Sequence, residues 1–224
     1  MNETIKRIAA NWKLDARFED NRYFYNYNEV DQILNNNKCY VIGRKGAGKT
    51  AICEHILKTS GYDFFSEKLG FKNFPFNELY GLTNGKYTQP NQYITIWKYL
   101  IYSTVCRLMV GNECIDGEVR GMLEKLYPKN DLKQLARRIS EWTSAEFGAT
   151  VLGTGGSVKV SRQVSENAIP WIEKTDILED IIINHCDKSK YYIVFDELDE
   201  DYRDLSDEDT KLYISLLTSL FKAV

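Results

Sequence analysis

The chain has 224 residues, a formal net charge of -3, 43% hydrophobic and 27% charged residues, and only 4 prolines. That length can bury a substantial core and fits one large α/β domain, or one domain carrying an inserted subdomain. On this composition no long disordered tract is expected, and the charge argues against a uniformly basic nucleic-acid binder while leaving room for a local basic face.

Five cysteines, Cys39, Cys53, Cys106, Cys114 and Cys186, form no CxxC pair, and the two histidines, His55 and His185, stand away from any ligand-like cluster. This usage reads as free thiols in a reducing, cytoplasmic setting. The opening MNETIKRIAANWKLDARFED scatters charges where an export signal needs an apolar centre. The most apolar helix candidate, residues 94–110, carries Lys98 and Arg107 and is too short to cross a bilayer unassisted, so no membrane partner is expected.

Taken in chain order, Val30, Ile33 and Leu34 share one helical face behind Asn28, which predicts a short helix over residues 28–36. The apolar run at 39–42 follows the turn-prone Asn35, Asn36 and Asn37 and predicts a brief buried strand. A glycine-rich loop comes next. Ile52, Ile56 and Leu57 then recur at helical spacing over 49–60, with Gly61 as the expected stop. Aromatic residues over 62–76 predict a second strand region.

The middle of the chain reads as mostly helical, with helices over 91–110, 117–127 and 131–147 forming an insertion across 91–147. Residues 149–162 alternate β-branched side chains around Gly153, Thr154, Gly155 and Gly156, the pattern of a small β-hairpin. A helix over 169–186, a buried strand over 191–195 ending on Asp196 and Glu197, and a final helix over 210–224 complete the reading. The units are thus 28–61, 91–147, 149–162 and 170–224, and the chain reads as one domain that is C-terminally incomplete.

Gly43, Arg44, Lys45, Gly46, Ala47, Gly48, Lys49 and Thr50 fit GxxxxGK[ST], placed between a predicted strand and a predicted helix as that motif requires. Glycines permit the positive backbone torsions that turn successive N–H groups inward, and the following helix, from Lys49 through Ala51 onward, adds the positive end of its dipole. A polyphosphate suits this geometry. Lys49 would reach the β- and γ-phosphates and the Thr50 hydroxyl would take a Mg²⁺ ion, so ATP and Mg²⁺ are the expected ligands. The bland alternative is a structural glycine turn.

A second half-site should be an acid at the end of another buried strand, because Mg²⁺ prefers hard oxygen ligands. Asp196 is the expected metal partner, and Glu197 the group that orients and deprotonates an attacking water. Nine of the fourteen residues from Asp196 to Asp209 are acidic, but they lack the glycine and ligand spacing of an EF-hand and read as a solvated loop. Glu173, Lys174, Thr175 and Asp176 resemble a guanine-reading NKxD, with Glu in place of Asn and upstream of Asp196, which argues against GTP. Rings at Tyr23, Phe24 and Tyr25 are read as packing residues, with purine stacking as the minor alternative.

GRKGAGKTAI together with VFDELDE resembles bacterial P-loop ATPases of the AAA+/STAND type, including origin-recognition/CDC6-like members whose Walker B reads Asp-Glu-hydrophobic-Asp. The resemblance covers about residues 22–59 and 191–203. It implies a three-layer α/β P-loop NTPase fold, a parallel sheet flanked by helices with the Walker A and Walker B strands separated by another strand. It also implies Asp196 as the Walker B aspartate and Glu197 as the catalytic glutamate. Several members of this wider group serve in anti-phage defence. The sensor strand, arginine finger and helical lid expected after Walker B are not present in these 224 residues.

The leading expectation is therefore an ATPase that hydrolyses the β–γ bond of Mg-ATP to drive a conformational or oligomeric switch, through self-association or an effector partner. A nucleotide-binding module with little turnover is one alternative. A nucleic-acid-dependent ATPase is another, motivated by Arg137, Arg138, Lys159 and Arg162, which otherwise read as solvated faces.

Overall fold

The computed structural model describes Glu3 and residues 28–70, 89–128, 171–198 and 206–224. The helix expected over 131–147, the hairpin over 149–162, the rings at 23–25 and the basic residues Arg137, Arg138, Lys159 and Arg162 lie outside the described residues. The chain packs as two compact units, Met1–Gly61 and Tyr62–Val224.

In the first unit, α1 (Asn28–Leu34) and α2 (Lys49–Lys58) flank the glycine loop. Val30, Ile52 and Ile56 are buried, as the helical spacing of those residues requires. The end of α2 is set by Thr59 rather than by Gly61. Thr59 turns extended, its N–H donates to the His55 and Ile56 carbonyls, and its hydroxyl donates to the His55 carbonyl at 2.9 Å.

The strand expected at 39–42 does not form: these residues carry no ladder, and Tyr40, Val41 and Ile42 are exposed, Ile42 at 97%. The physical reason is that apolar character does not make a strand without a pairing partner. Among the described residues of this unit no other strand exists to supply one.

The second unit is α/β. Its strands β1 (Phe64–Gly70) and β2 (Lys190–Asp196) form a two-stranded parallel sheet in which Phe64 lies opposite Lys190 and Gly70 opposite Asp196. Parallel strands need a long crossover, and here the described part of that crossover is helical: α3 (Gln89–Val110), α4 (Gly117–Leu126) and α5 (Trp171–His185). A last helix, α6 (Asp207–Ala223), follows β2 and begins three residues before the predicted 210. Asp207, exposed at its first position, sits where the helix dipole favours a carboxylate.

The long helix α3 is the spine of this unit. Tyr93, Ile96, Trp97, Tyr99, Leu100, Cys106, Met109 and Val110 are all buried, around more than one face, because α4, α5, α6 and the sheet surround it. Specific bonds fix its neighbours. Trp97 Nε1 donates to the Leu216 carbonyl of α6 at 2.9 Å and its ring meets Phe195 of β2 edge-on. Tyr102 donates to Glu179 of α5 at 2.8 Å, and burial together with that carboxylate pushes its hydroxyl up to about 12. Arg107 pairs with Glu67 of β1. Asp116 caps α4, its carboxylate accepting from the N–H groups of Glu118 and Val119.

Strand alternation sorts the sheet into two faces. Tyr191, Ile193 and Phe195 pack on the helical core together with Leu69. Phe64 and Tyr192, stacked at 4.9 Å, and the pair Lys68 and Asp196 lie on the other face.

A polar knot sets where β2 begins. Asn112, fully buried just after α3, donates to Asp187 Oδ1 at 2.9 Å and to the Tyr191 hydroxyl at 2.7 Å, and accepts from the Cys114 N–H. Ser189 and Tyr191 donate to the same Asp187 carboxylate. Burial alone would raise the Asp187 carboxyl, but the bonds from Ser189, Tyr191 and Asn112 outweigh it and hold the group below its ordinary value.

Asn112→Ala is expected to lower stability by about 1–3 kcal/mol near neutral pH, the cost of leaving buried partners unmatched. Because Asp187 is depressed in the folded chain, the stability that it contributes is present above its unfolded value and lost as pH falls through the folded one. The gap between variant and wild type should therefore narrow in acid, below about pH 4. Urea unfolding of both chains at neutral and acid pH measures this.

Candidate functional site

The residues singled out in the sequence divide between the two units: Gly43 to Ala51 in the first, Asp196 and Glu197 in the second.

The loop turns on its glycines. Gly46 and Gly48 take left-handed torsions, φ +83 and +85, which any side chain would strain. A Cβ at Gly43 would come within 3.2 Å of the Ala47 methyl, a tight contact that the loop would have to ease. The Ala47 N–H donates to the Arg44 carbonyl at 3.1 Å and closes the turn. Residues 43–48, including Arg44 and Lys45, are all exposed.

Gly48 is the N-cap of α2, and no side chain caps that helix. The N–H groups of Lys49, Thr50 and Ala51 thus open the helix with its positive end facing the loop. Lys49 folds back over the loop: its Nζ donates to the Gly43 carbonyl at 2.8 Å and to the Arg44 carbonyl at 3.2 Å. A cation gathered against the carbonyl rim of a loop, next to a helix N-terminus, is an arrangement that an anion with several oxygens can enter.

In the second unit β2 delivers Asp196 to the end of the sheet, 6% exposed. Its Oδ1 accepts the Glu197 N–H at 3.0 Å. Its Oδ2 lies 2.9 Å from Lys68 Nζ of β1, yet receives no hydrogen bond and is shut off from solvent. The two observations agree if the ammonium stands within ion-pair distance but off the hydrogen-bonding direction.

Glu197 adopts a left-handed backbone, φ +63, uncommon for a residue with a side chain. The turn that carries it is tied down by the Tyr213 hydroxyl of α6, which donates to the Leu198 carbonyl. The backbone thus re-aims at the residue after the strand, where the sequence reading places the catalytic acid.

Among the described residues no group of three or more His, Cys, Asp or Glu side chains gathers to hold a metal ion by itself. Hard oxygens of the kind that hold Mg²⁺ together with phosphates occur in each unit, the Thr50 hydroxyl in the first and the Asp196 carboxylate, its Oδ2 shut off from solvent beside Lys68, in the second. Mg²⁺ is usually bound by one or two such protein oxygens plus substrate.

The tetrapeptide that resembles a guanine-reading element lies in α5, with Lys174 and Thr175 both 4% exposed, so it is helix interior rather than a base-reading loop. Lys68 is the site residue that the sequence reading missed. It sits beside Glu67 in a strand that reads FFSEKLG, and only the register of β1 against β2 brings it to Asp196. No helix among the described residues is long and apolar enough to cross a membrane. Comparison of the chain with protein-family models, curated proteins and solved structures gives no match.

Proposed function

We propose that this chain binds Mg-ATP and hydrolyses its β–γ bond, as a P-loop ATPase of the AAA+/STAND type in which turnover drives a conformational or oligomeric switch. The observation that carries the reading is the loop itself: left-handed Gly46 and Gly48, an uncapped helix start, and Lys49 folded onto the carbonyls of Gly43 and Arg44. On this reading phosphate oxygens take the place of the two carbonyls around Lys49, while the N–H groups at the start of α2 receive the remaining charge. Thr50 and Asp196 would hold the Mg²⁺, which would offset phosphate charge. Glu197 orients the attacking water and accepts its proton.

The same reading completes the fold as a three-layer P-loop NTPase, a parallel sheet flanked by helices. The adjacency of β1 and β2 supports it, since the strand that follows the loop helix neighbours the strand that ends on Asp196. Cytoplasmic anti-phage defence is the setting that the sequence resemblance proposes.

A second reading, a module that holds ATP with little turnover, draws support from the Lys68 ion pair, which occupies the Asp196 carboxylate. Binding of ATP, ADP and GTP with and without Mg²⁺, followed by phosphate release as protein concentration rises, separates the readings. The ATPase reading expects ATP affinity below about 1 mM and a per-chain rate that climbs with concentration as neighbours complete the site. Tight ATP binding with no release at any concentration supports the holding module. Absence of ATP binding sinks both.

A further inference from the structure

Lys68 and Asp196 do not face each other directly across the sheet. The register sets Lys68 opposite Val194 and Asp196 opposite Gly70, so the pair is diagonal, two residues apart along parallel strands. Because position 70 is glycine, no side chain there stands between the Lys68 stem and the carboxylate. The four-carbon stem covers that offset and brings Nζ to 2.9 Å. The lysine side chain remains 25% exposed while the aspartate side chain is 7% exposed, so one partner has a way out to solvent and the other does not.

Asp196 is held on both sides, Oδ1 by the Glu197 N–H and Oδ2 by the ammonium charge. A carboxylate this buried needs a compensating cation. The ammonium at 2.9 Å from Oδ2 gives that charge. A divalent cation at the same oxygen carries twice the charge, and Lys68 can swing to water as it leaves.

We propose that Lys68 is a stand-in for the metal: it neutralises and orients Asp196 before nucleotide arrives, is displaced from Oδ2 when Mg²⁺ binds with the phosphates, and so sets the Mg²⁺ concentration at which the site loads. The inference rests on the Mg-ATP reading above. Lys68 is thus a positioning residue that acts through Asp196, and its effect is on metal dependence rather than on nucleotide contact.

The test follows binding of a fluorescent ATP analogue to the full chain as Mg²⁺ is raised from a chelated start, in wild type, Lys68→Met and Lys68→Arg. Removal of the competing charge is expected to lower the half-saturating Mg²⁺ by about tenfold in Lys68→Met, a coupling typical of close charges near a protein surface. Lys68→Arg, which keeps the charge, stays near wild type. Mn²⁺ retention, read by its electron paramagnetic resonance signal with nucleotide present, should shift in parallel.

An unchanged midpoint in Lys68→Met, with binding still dependent on Mg²⁺, would leave the pair a purely structural contact and overturn the proposal. So would a raised midpoint, which would make Lys68 a helper of the site. If Lys68→Met fails to fold, Lys68→Gln, which keeps a polar donor beside Oδ2 but no charge, should show the same direction of shift. A chain that binds no nucleotide in any variant refutes the Mg-ATP reading and this inference with it, and that result differs from Mg²⁺-dependent binding indifferent to residue 68.

Discussion

Lys49→Ala is expected to weaken ATP binding by about 100-fold or more while leaving the second unit folded. Charge-assisted hydrogen bonds contribute about 1.5–3 kcal/mol each, and on the Mg-ATP reading Lys49 makes two with phosphate oxygens. The gross figure overstates the gain, because in the ligand-free loop the same ammonium already donates to the carbonyls of Gly43 and Arg44. Binding exchanges those acceptors for charged ones and keeps the difference. With tenfold in affinity for each 1.4 kcal/mol, the stated loss corresponds to a net gain of about 1.4 kcal/mol for each exchange.

The variant also removes the tie between α2 and the loop rim, so part of the loss would come from a loosened cradle. Lys49→Arg separates the two contributions. It keeps the charge, but its planar fork does not suit the small carbonyl rim, and affinity should remain low. Calorimetric titration of ATP into each chain, with circular dichroism to confirm the fold, gives the answer. Wild-type affinity in Lys49→Ala would return the loop to a plain glycine turn.

How much of this was legible in the sequence depends on how local each feature is. The loop at 43–50 could be read directly, because its requirements are short-range: glycine where torsions are positive, a lysine one turn away, a helix to follow. The two strands of the sheet and the helices over 89–110, 117–126 and 171–185 were also legible, since burial on a repeating face leaves a repeating pattern. The strand expected at 39–42 was not, because its apolar residues state a preference for burial and cannot state a partner. Lys68 was invisible for the same reason. Its role depends on the diagonal register of two strands separated by more than a hundred residues, and on a glycine at position 70. Thr59 escaped notice because Gly61, two residues on, carried the more familiar stop signal. The left-handed turn at Glu197 has no sequence signal either, since glutamate is not a residue that favours it.

That turn bears on the second large effect. Glu197→Gln is expected to cut phosphate release by about 10²- to 10⁴-fold, the usual contribution of a positioned general base, with ATP affinity close to wild type. The substitution keeps length and shape and removes the proton acceptor, so a loss confined to turnover assigns the base role to this side chain. The backbone is unusual at the same residue. A non-glycine residue with φ +63 costs on the order of 1–2 kcal/mol, and it persists here because the Glu197 N–H bonds to Asp196 Oδ1 and Tyr213 secures the next carbonyl.

Such strain at a strand end holds a side chain where a relaxed backbone would not. Glu197→Gly should therefore raise thermal stability, by about 1 kcal/mol at the torsion alone, and still lose turnover. Single-turnover phosphate release and thermal unfolding of the three chains decide it. If Glu197→Gln releases phosphate at the wild-type rate, the residue is not the base, and the holding module becomes the better account of an Asp196 carboxylate that β2 presents and Lys68 neutralises.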